Sequence, residues 1–232
     1  MIELRPCNAL GHAQHGWLNS RLHFSFADYH NPQRMHWGAL RVWNDDEIAP
    51  GSGFPPHPHR DMEIITYVRE GAISHRDNLG NQGRTAAGDV QVMSAGTGIQ
   101  HAEYNREAVT SSIFQIWLLP DRHGHAPTWG TRRFPKGERA GQFVALASGV
   151  AGDPEALPIH AKARVLAATL LAGQRLDFPL GVQHKAYLVP ARGQIEVNGV
   201  LTNARDGLAV SGEQQLHISA RQDSEIVLVH LL

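Results

Sequence analysis

"HPHRDMEIITYVREG" runs from His57 to Gly71 and joins two signals: a histidine pair around a proline, then an apolar run closed by a glycine. The run "EIITYVRE" has strand length and is rich in β-branched and aromatic residues, which fit a pleated, half-buried surface. Pro58 locks its own φ and biases His57 toward extended backbone, so the segment does not continue a helix. In extended chain, residues two apart project to one side, so His57 and His59 present both imidazoles on one face. Working outward, the same texture repeats. "ALRVWNDDEI", "GDVQVMSAG", "SIFQIWLLP", "GQFVALASG", "QLHISA" and "SEIVLVHLL" are short apolar or alternating runs set between Gly, Pro, Asn and Asp. "ARVLAATLLAG" has a helix-like Ala/Leu composition, yet its length and neighbours place it with the strands. No long amphipathic helix is evident, and the chain is expected to be all-β, a barrel or sandwich.

Two long segments share one plan. "YVREGAISHRDNLGNQGRTAAGDVQVMS" (67–94) and "YLVPARGQIEVNGVLTNARDGLAVSG" (187–212) align on Tyr67/Tyr187, Gly71/Gly193 and Gly88/Gly207. This is a degenerate internal repeat, the mark of two similar β units. Between Pro120 and Pro158 the texture loosens into Gly, Pro and charge, and the boundary is expected near residue 132, giving units 1–132 and 133–232.

Composition narrows the function. The 232 residues suffice to bury a core, and a net charge of −1 leaves no basic footprint for nucleic acid or an anionic membrane. No apolar stretch approaches the roughly 18 residues needed to span a bilayer. "MIELRPCNAL" does not read as a signal peptide, and a cytoplasmic location is expected. With Cys7 alone, neither an internal disulfide nor a multi-thiolate zinc site is available within one chain. Histidine is the unusual entry: of 15, eleven fall between His12 and His125.

A lone His-x-His is a weak signal. Here "GTGIQHAEYN" repeats the i, i+2 arrangement with His101 and Glu103, behind a glycine-rich turn that lets backbone approach closely. Facing each other, the two segments offer three imidazole nitrogens and one carboxylate, a mixed set that suits a divalent first-row metal with a coordination position left open. Glu63 shares parity with His57 and His59 and is a rival ligand. Asp61 lies on the same nominal face, where a carboxylate orients a ligand histidine, but it reads better as exposed near a strand start. His75, His23 and His36 read as surface or hydrogen-bonded residues, and His123 and His125 as solvated loop residues.

These residues resemble the cupins. Gly51, five residues, His57, His59, Glu63 and Gly71 follow the first cupin motif with one extra residue before the last glycine. Gly98, His101 and Asn105 follow the second, which departs upstream with Gly96 in the usual proline position and a longer gap from Gly88. More specifically the chain resembles the pirins, of the bacterial quercetinase-like branch, through "HFSFADY", "HPHRDMEIITYV", "HRDNLGN", "GDVQVMSAGTGIQHAEYN" and "FQIWLLP" in order, over about residues 15–135. The resemblance implies two cupin (jelly-roll) β-barrels packed together, with the metal in the N-terminal one. It implies His57, His59, His101 and Glu103 as ligands, and one divalent transition metal: Fe(II) first, with Zn, Mn, Co, Ni or Cu as other occupants. It further implies a quercetin 2,3-dioxygenase type of reaction on a flavonol-like molecule with O2, Glu103 serving as base. The other role described for pirins is an iron-containing, redox-sensitive partner of transcription regulators.

Overall fold

The computed structural model describes residues 1–232. Its secondary structure is β-strand throughout, relieved by three short 3-10 turns, as the alternating runs require. The helix-like "ARVLAATL" is a strand, Ala163–Leu170, fixed by antiparallel pairing with Ser224–Leu231 along its whole length. No helix is long and apolar enough to cross a membrane.

The chain divides into two compact units. One comprises Gly11–Phe134 with Leu157–Ala161, and the other Met1–Leu10, Pro135–Ala156 and Lys162–Leu232. The first ten residues therefore group with the later part of the chain, a departure from the expected units 1–132 and 133–232. Strand Ile2–Arg5 pairs with Gly207–Ser211 and forms one edge of that unit's larger sheet. In the other unit the matching edge, beside Val90–Ser94, is taken by Thr128–Arg132. Edge pairing is a long-range choice that the local pattern of a short strand does not encode.

The histidine-rich unit has a seven-stranded and a four-stranded antiparallel sheet. The larger runs Thr128–Arg132, Val90–Ser94, Glu63–Glu70, Ser111–Leu118, Leu40–Ile48, Leu18–Leu22, Gly11–Gln14. The smaller runs Gly53–His59, Ile99–Tyr104, Ala72–Asp77, Gln82–Ala86. The other unit repeats the plan: Ile2–Arg5, Gly207–Ser211, Lys185–Arg192, Ser224–Leu231, Ala163–Leu170, Val144–Ser148 in the larger sheet, and Arg175–Pro179, Gln215–Ala220, Gln194–Val197, Val200–Asn203 in the smaller. These are the two double-sheet barrels expected. The repeat glycines Gly71 and Gly193 do the same work in each: both have positive φ, and a Cβ there would collide with Ser111 or Ser224 respectively.

The interiors differ. The unit formed by the later strands holds one aliphatic cluster drawing on both sheets, with Leu166, Leu188, Leu208, Leu228, Leu216 and Ile218 among its members. The histidine-rich unit has two smaller clusters, one with Ile48, Val68 and Ile113, the other with Ile64, Met93 and Ile99. Thr66 sits between Ile64 and Val68 on their shared strand face, and a belt of polar side chains separates the two clusters.

Candidate metal centre

Strand Gly53–His59 lies antiparallel to Ile99–Tyr104 with His57 directly opposite His101. A β-bulge falls between His101 and Glu103 in this pairing, and bulges re-aim side chains beside functional sites. The rings of His57, His59 and His101 converge, with centroid separations of 4.8, 4.5 and 5.0 Å for the three pairs. One nitrogen from each lies within 4.8 Å of the others. His57 and His59 are half-buried and His101 is buried.

Hydrogen bonds fix which nitrogen His57 and His101 offer. Nδ1 of His57 lies 2.8 Å from the Pro55 carbonyl, which only accepts, so Nδ1 carries the proton and Nε2 the lone pair. For His101 the fixing group is Asp77, acting through His75. Asp77 is pinned by Leu79 N–H, Asn81 N–H and the Asn81 amide, and accepts from His75 Nε2 at 3.1 Å. His75 Nδ1 is then an acceptor and takes the Nδ1–H of His101 at 3.5 Å. The remaining nitrogen, His101 Nε2, is a buried lone pair with no hydrogen-bond partner. Such a group costs about 1–3 kcal/mol when left unmatched, and a cation bound among the three rings matches it. The donor set therefore fits a metal.

The electrostatics agree. Burial, and then the neighbouring imidazoles, lower the pKa of His59 to about 4 and that of His101 to about 3. Both rings are neutral at neutral pH, the form a metal needs. Burial pushes the Asp77 carboxyl up, but its hydrogen bonds from Asn81 and His75 hold it below the usual carboxylate range.

Glu103 belongs to a second, overlapping group with His75 and His101, its carboxylate reaching the trio through His101. It is buried, and three donors from the larger sheet converge on it: Gln91 Nε2 and the Thr66 hydroxyl on Oε1, and Gln115 Nε2 at 2.8 Å on Oε2. Gln115 is oriented in turn by the Trp117 indole, which donates to its Oε1 at 2.8 Å. Trp117 also packs edge-on against His59, with centroids 4.9 Å apart. A chamber of about 260 Å³ is lined by His57, His59, Glu103, Gln115, Trp117, Phe26, Phe54, Asn44 and Asp46. Imidazoles, the oriented Glu103 carboxylate, a second carboxylate at Asp46 and aromatic walls thus share a small space.

Comparison with known proteins agrees with this geometry. A family profile described as Pirin matches residues 3–118, and one described as quercetinase C-terminal cupin domain matches residues 146–231. The chain is 62% identical over 229 residues, 99% of each chain, to a pirin-like protein of Caulobacter vibrioides. It is 40% identical over 232 residues, 100% of this chain and 99% of the relative, to a quercetin 2,3-dioxygenase of Escherichia coli K12. The crystal structure of the E. coli bacterial pirin YhhW in complex with nickel(II) superposes with a TM-score of 0.93 at 40% identity, covering 100% of this chain and 99% of that one.

The chain belongs to the pirin family.

In this pirin the other sequence candidates separate cleanly. Glu63 is buried in the larger sheet, accepting from the Ser94 hydroxyl at 2.6 Å and the His160 amide at 3.1 Å, and it joins neither ligand group. Asp61 has a positive φ of 46° and accepts from the Gly124 amide at 2.8 Å, so it closes a turn and orients no ligand histidine. His125 is not solvated: it stacks on His160 at 3.8 Å and pairs with Asp121. His123 is exposed. His75, expected to be a surface or hydrogen-bonded residue, is buried and hydrogen-bonded beside His101, and Asp77, Thr66, Gln91 and Gln115, which are not among the sequence candidates, complete its surroundings. Two signals were present. "HRD" places His75 and Asp77 on one strand face, and a glutamine interrupts each of the apolar runs "VQV" and "FQI".

Proposed function

We propose that this pirin is a metal-dependent dioxygenase of the quercetin 2,3-dioxygenase type, opening a flavonol heterocycle with O2 and releasing carbon monoxide. The observation that carries the reading is the unpartnered, buried His101 Nε2 beside His57 and His59, which with the oriented Glu103 carboxylate line a small aromatic chamber. His57, His59 and His101 would hold the ion, with Fe(II) as the occupant. A divalent cation there supplies Lewis acidity, lowering the pKa of a bound hydroxyl, and iron adds redox capacity.

The remaining chemistry belongs to the chain. Glu103 accepts the proton of the flavonol hydroxyl, a task that requires it within hydrogen-bond reach. Gln91, Gln115 and Thr66 hold its carboxylate in one orientation, so little reorganisation accompanies the transfer. Phe26, Phe54 and Trp117 present apolar faces to the flavonol rings and exclude water from the electron-rich ligand that results.

The test is anaerobic purification, metal quantification, and oxygen uptake with a flavonol panel. The reading expects metal-dependent oxygen consumption with matching carbon monoxide release. It also expects Glu103→Gln to retain bound metal while turnover falls by about 10²–10⁴-fold. Metal-loaded protein that takes up no oxygen with any flavonol would overturn it.

A further inference from the structure

Strand Leu40–Ile48 carries two polar residues that the reaction above does not use. Asn44 and Asp46 are two apart and share the interior face, opposite Gln115 and Ile113 on the neighbouring strand. They also stand at a junction. The chamber of about 260 Å³ that holds the imidazoles and Glu103 adjoins a second of about 420 Å³, and Phe26, Phe54, Asn44 and Asp46 line both. The outer chamber is otherwise walled by residues of the preceding hairpin and the "FADY" segment, Leu18, Leu22 and Tyr29 among them. The inner chamber alone falls below the roughly 300–1,000 Å³ of sites for drug-sized ligands, and the outer one lies near the lower end of that range. Together they accommodate an aromatic molecule of more than one ring.

The two polar residues offer complementary halves of a hydrogen-bonding site. Asn44 is only 4% exposed, and its Oδ1 has no hydrogen-bond partner. An acceptor in that condition is expected to have one supplied from elsewhere. Asp46 is buried too, and accepts from the Ser20 hydroxyl through Oδ1. Burial, against that hydrogen bond and with the charges of Asp45 and Glu103, pushes its carboxyl up to about 7, so near neutrality it is in part a protonated acid and a donor. A phenolic hydroxyl is at once donor and acceptor. A bare aromatic edge or a methyl ether is not.

We propose that Asn44 and Asp46 form a hydroxyl-reading subsite, selecting aromatic ligands with a ring hydroxyl at the junction of the two chambers. The subsite deepens the dioxygenase reading and rests on it only for the orientation of the ligand, since it names what the far part of a bound flavonol must carry. Discrimination of this kind is strong because a ligand without the hydroxyl leaves buried polar groups unpaired.

The test reads a ratio of affinities, so a reduced folded fraction cancels. Metal-loaded wild-type, Asn44→Leu and Asp46→Asn proteins are titrated anaerobically with quercetin and with 3-hydroxyflavone, which lacks the additional ring hydroxyls. A second pair, 4′-hydroxyflavone and flavone, lacks the 3-hydroxyl that ring opening requires. Wild type is expected to prefer the hydroxylated member of at least one pair by about tenfold or more. Asn44→Leu is expected to cut that preference below about threefold, with Asp46→Asn between the two. A preference unchanged in both variants, or absent in wild type for both pairs, overturns the subsite. Failure of the dioxygenase reading looks different: quercetin is not consumed with O2, while the 4′-hydroxyflavone preference and its loss in Asn44→Leu persist.

Discussion

Across four central strands of the histidine-rich barrel, the residues in register read Asn44, Gln115, Thr66, Gln91. Across the corresponding strands of the other barrel they read Leu166, Leu228, Leu188, Leu208. The smaller sheets show the same divergence. Strand Ile99–Tyr104 buries Ile99, His101 and Glu103, while its counterpart Gln215–Ala220 buries Leu216, Ile218 and Ala220. One plan of strands thus serves two purposes. In the aliphatic barrel the interior is a single packed cluster whose contribution is burial. In the other, a polar belt divides the apolar core in two, and its hydrogen bonds converge on Glu103. A barrel that gives up aliphatic packing at its centre limits the cost by hydrogen bonding its belt, as Gln115, Thr66 and Gln91 are bonded here.

The sharpest way to break the comparison is at the metal. His101→Ala removes the ring that both ligand groups share, and elemental analysis should show bound metal falling from about one per chain to below about a tenth. Retention of the ion would mean that the trio does not hold it.

Next in size is an exchange between the rows. Leu188→Gln plants an amide in the aliphatic row and should cost about 2–5 kcal/mol in denaturant unfolding. The reverse change, Gln115→Leu, should cost about 1–3 kcal/mol, because it leaves a Glu103 oxygen and the Trp117 indole without their partner. A Leu188→Gln protein as stable as wild type would show that the leucine row is not what holds that barrel together.

A smaller effect sharpens the chain that runs from Asp77 through His75 to His101. Asp77→Asn breaks the fixed tautomer without changing shape, and chelator competition should show metal affinity weakened by about 10–100-fold. Affinity within twofold of wild type would make the pair a structural contact only.

The last effect is a change of slope. The Asp46 carboxyl is raised, through burial first, to about 7 from its ordinary 3.8. Between those values the folded state holds a proton that the unfolded state has lost. Its stabilising contribution is therefore fully present below the unfolded pKa and is lost as pH rises through about 7. Asp46→Asn has no such dependence, so unfolding midpoints of wild type relative to the variant should fall between acid and neutral pH. A constant difference would place Asp46 outside the low-dielectric interior.

What the sequence made legible follows the reach of its signals. Strand alternation, the glycine turns at Gly71 and Gly193, and the i, i+2 pairs His57/His59 and His101/Glu103 are local, and all are read within a few residues. Parity alone left Glu63 and Glu103 equivalent, because it says which face a side chain takes and not which sheet opposes it. The structure separates them through Ser94 and the His160 amide on one, and Gln91, Gln115 and Thr66 on the other. The polar row is likewise invisible one strand at a time. Gln91 and Gln115 look like solvent-facing alternates until register places them side by side with Thr66. The pairing of strand Ile2–Arg5 is out of local reach for the same reason, its partner lying some two hundred residues away at Gly207–Ser211.

The central claim is that three rings on two strands surround one ion in the histidine-rich barrel. Anomalous diffraction from metal-loaded crystals tests it directly. The account predicts one strong peak bound by a ring nitrogen of each of the three, Nε2 in the case of His57 and His101. A peak bound by His75 and Glu103 without His57 and His59, or no peak among the three rings in fully loaded protein, would contradict it.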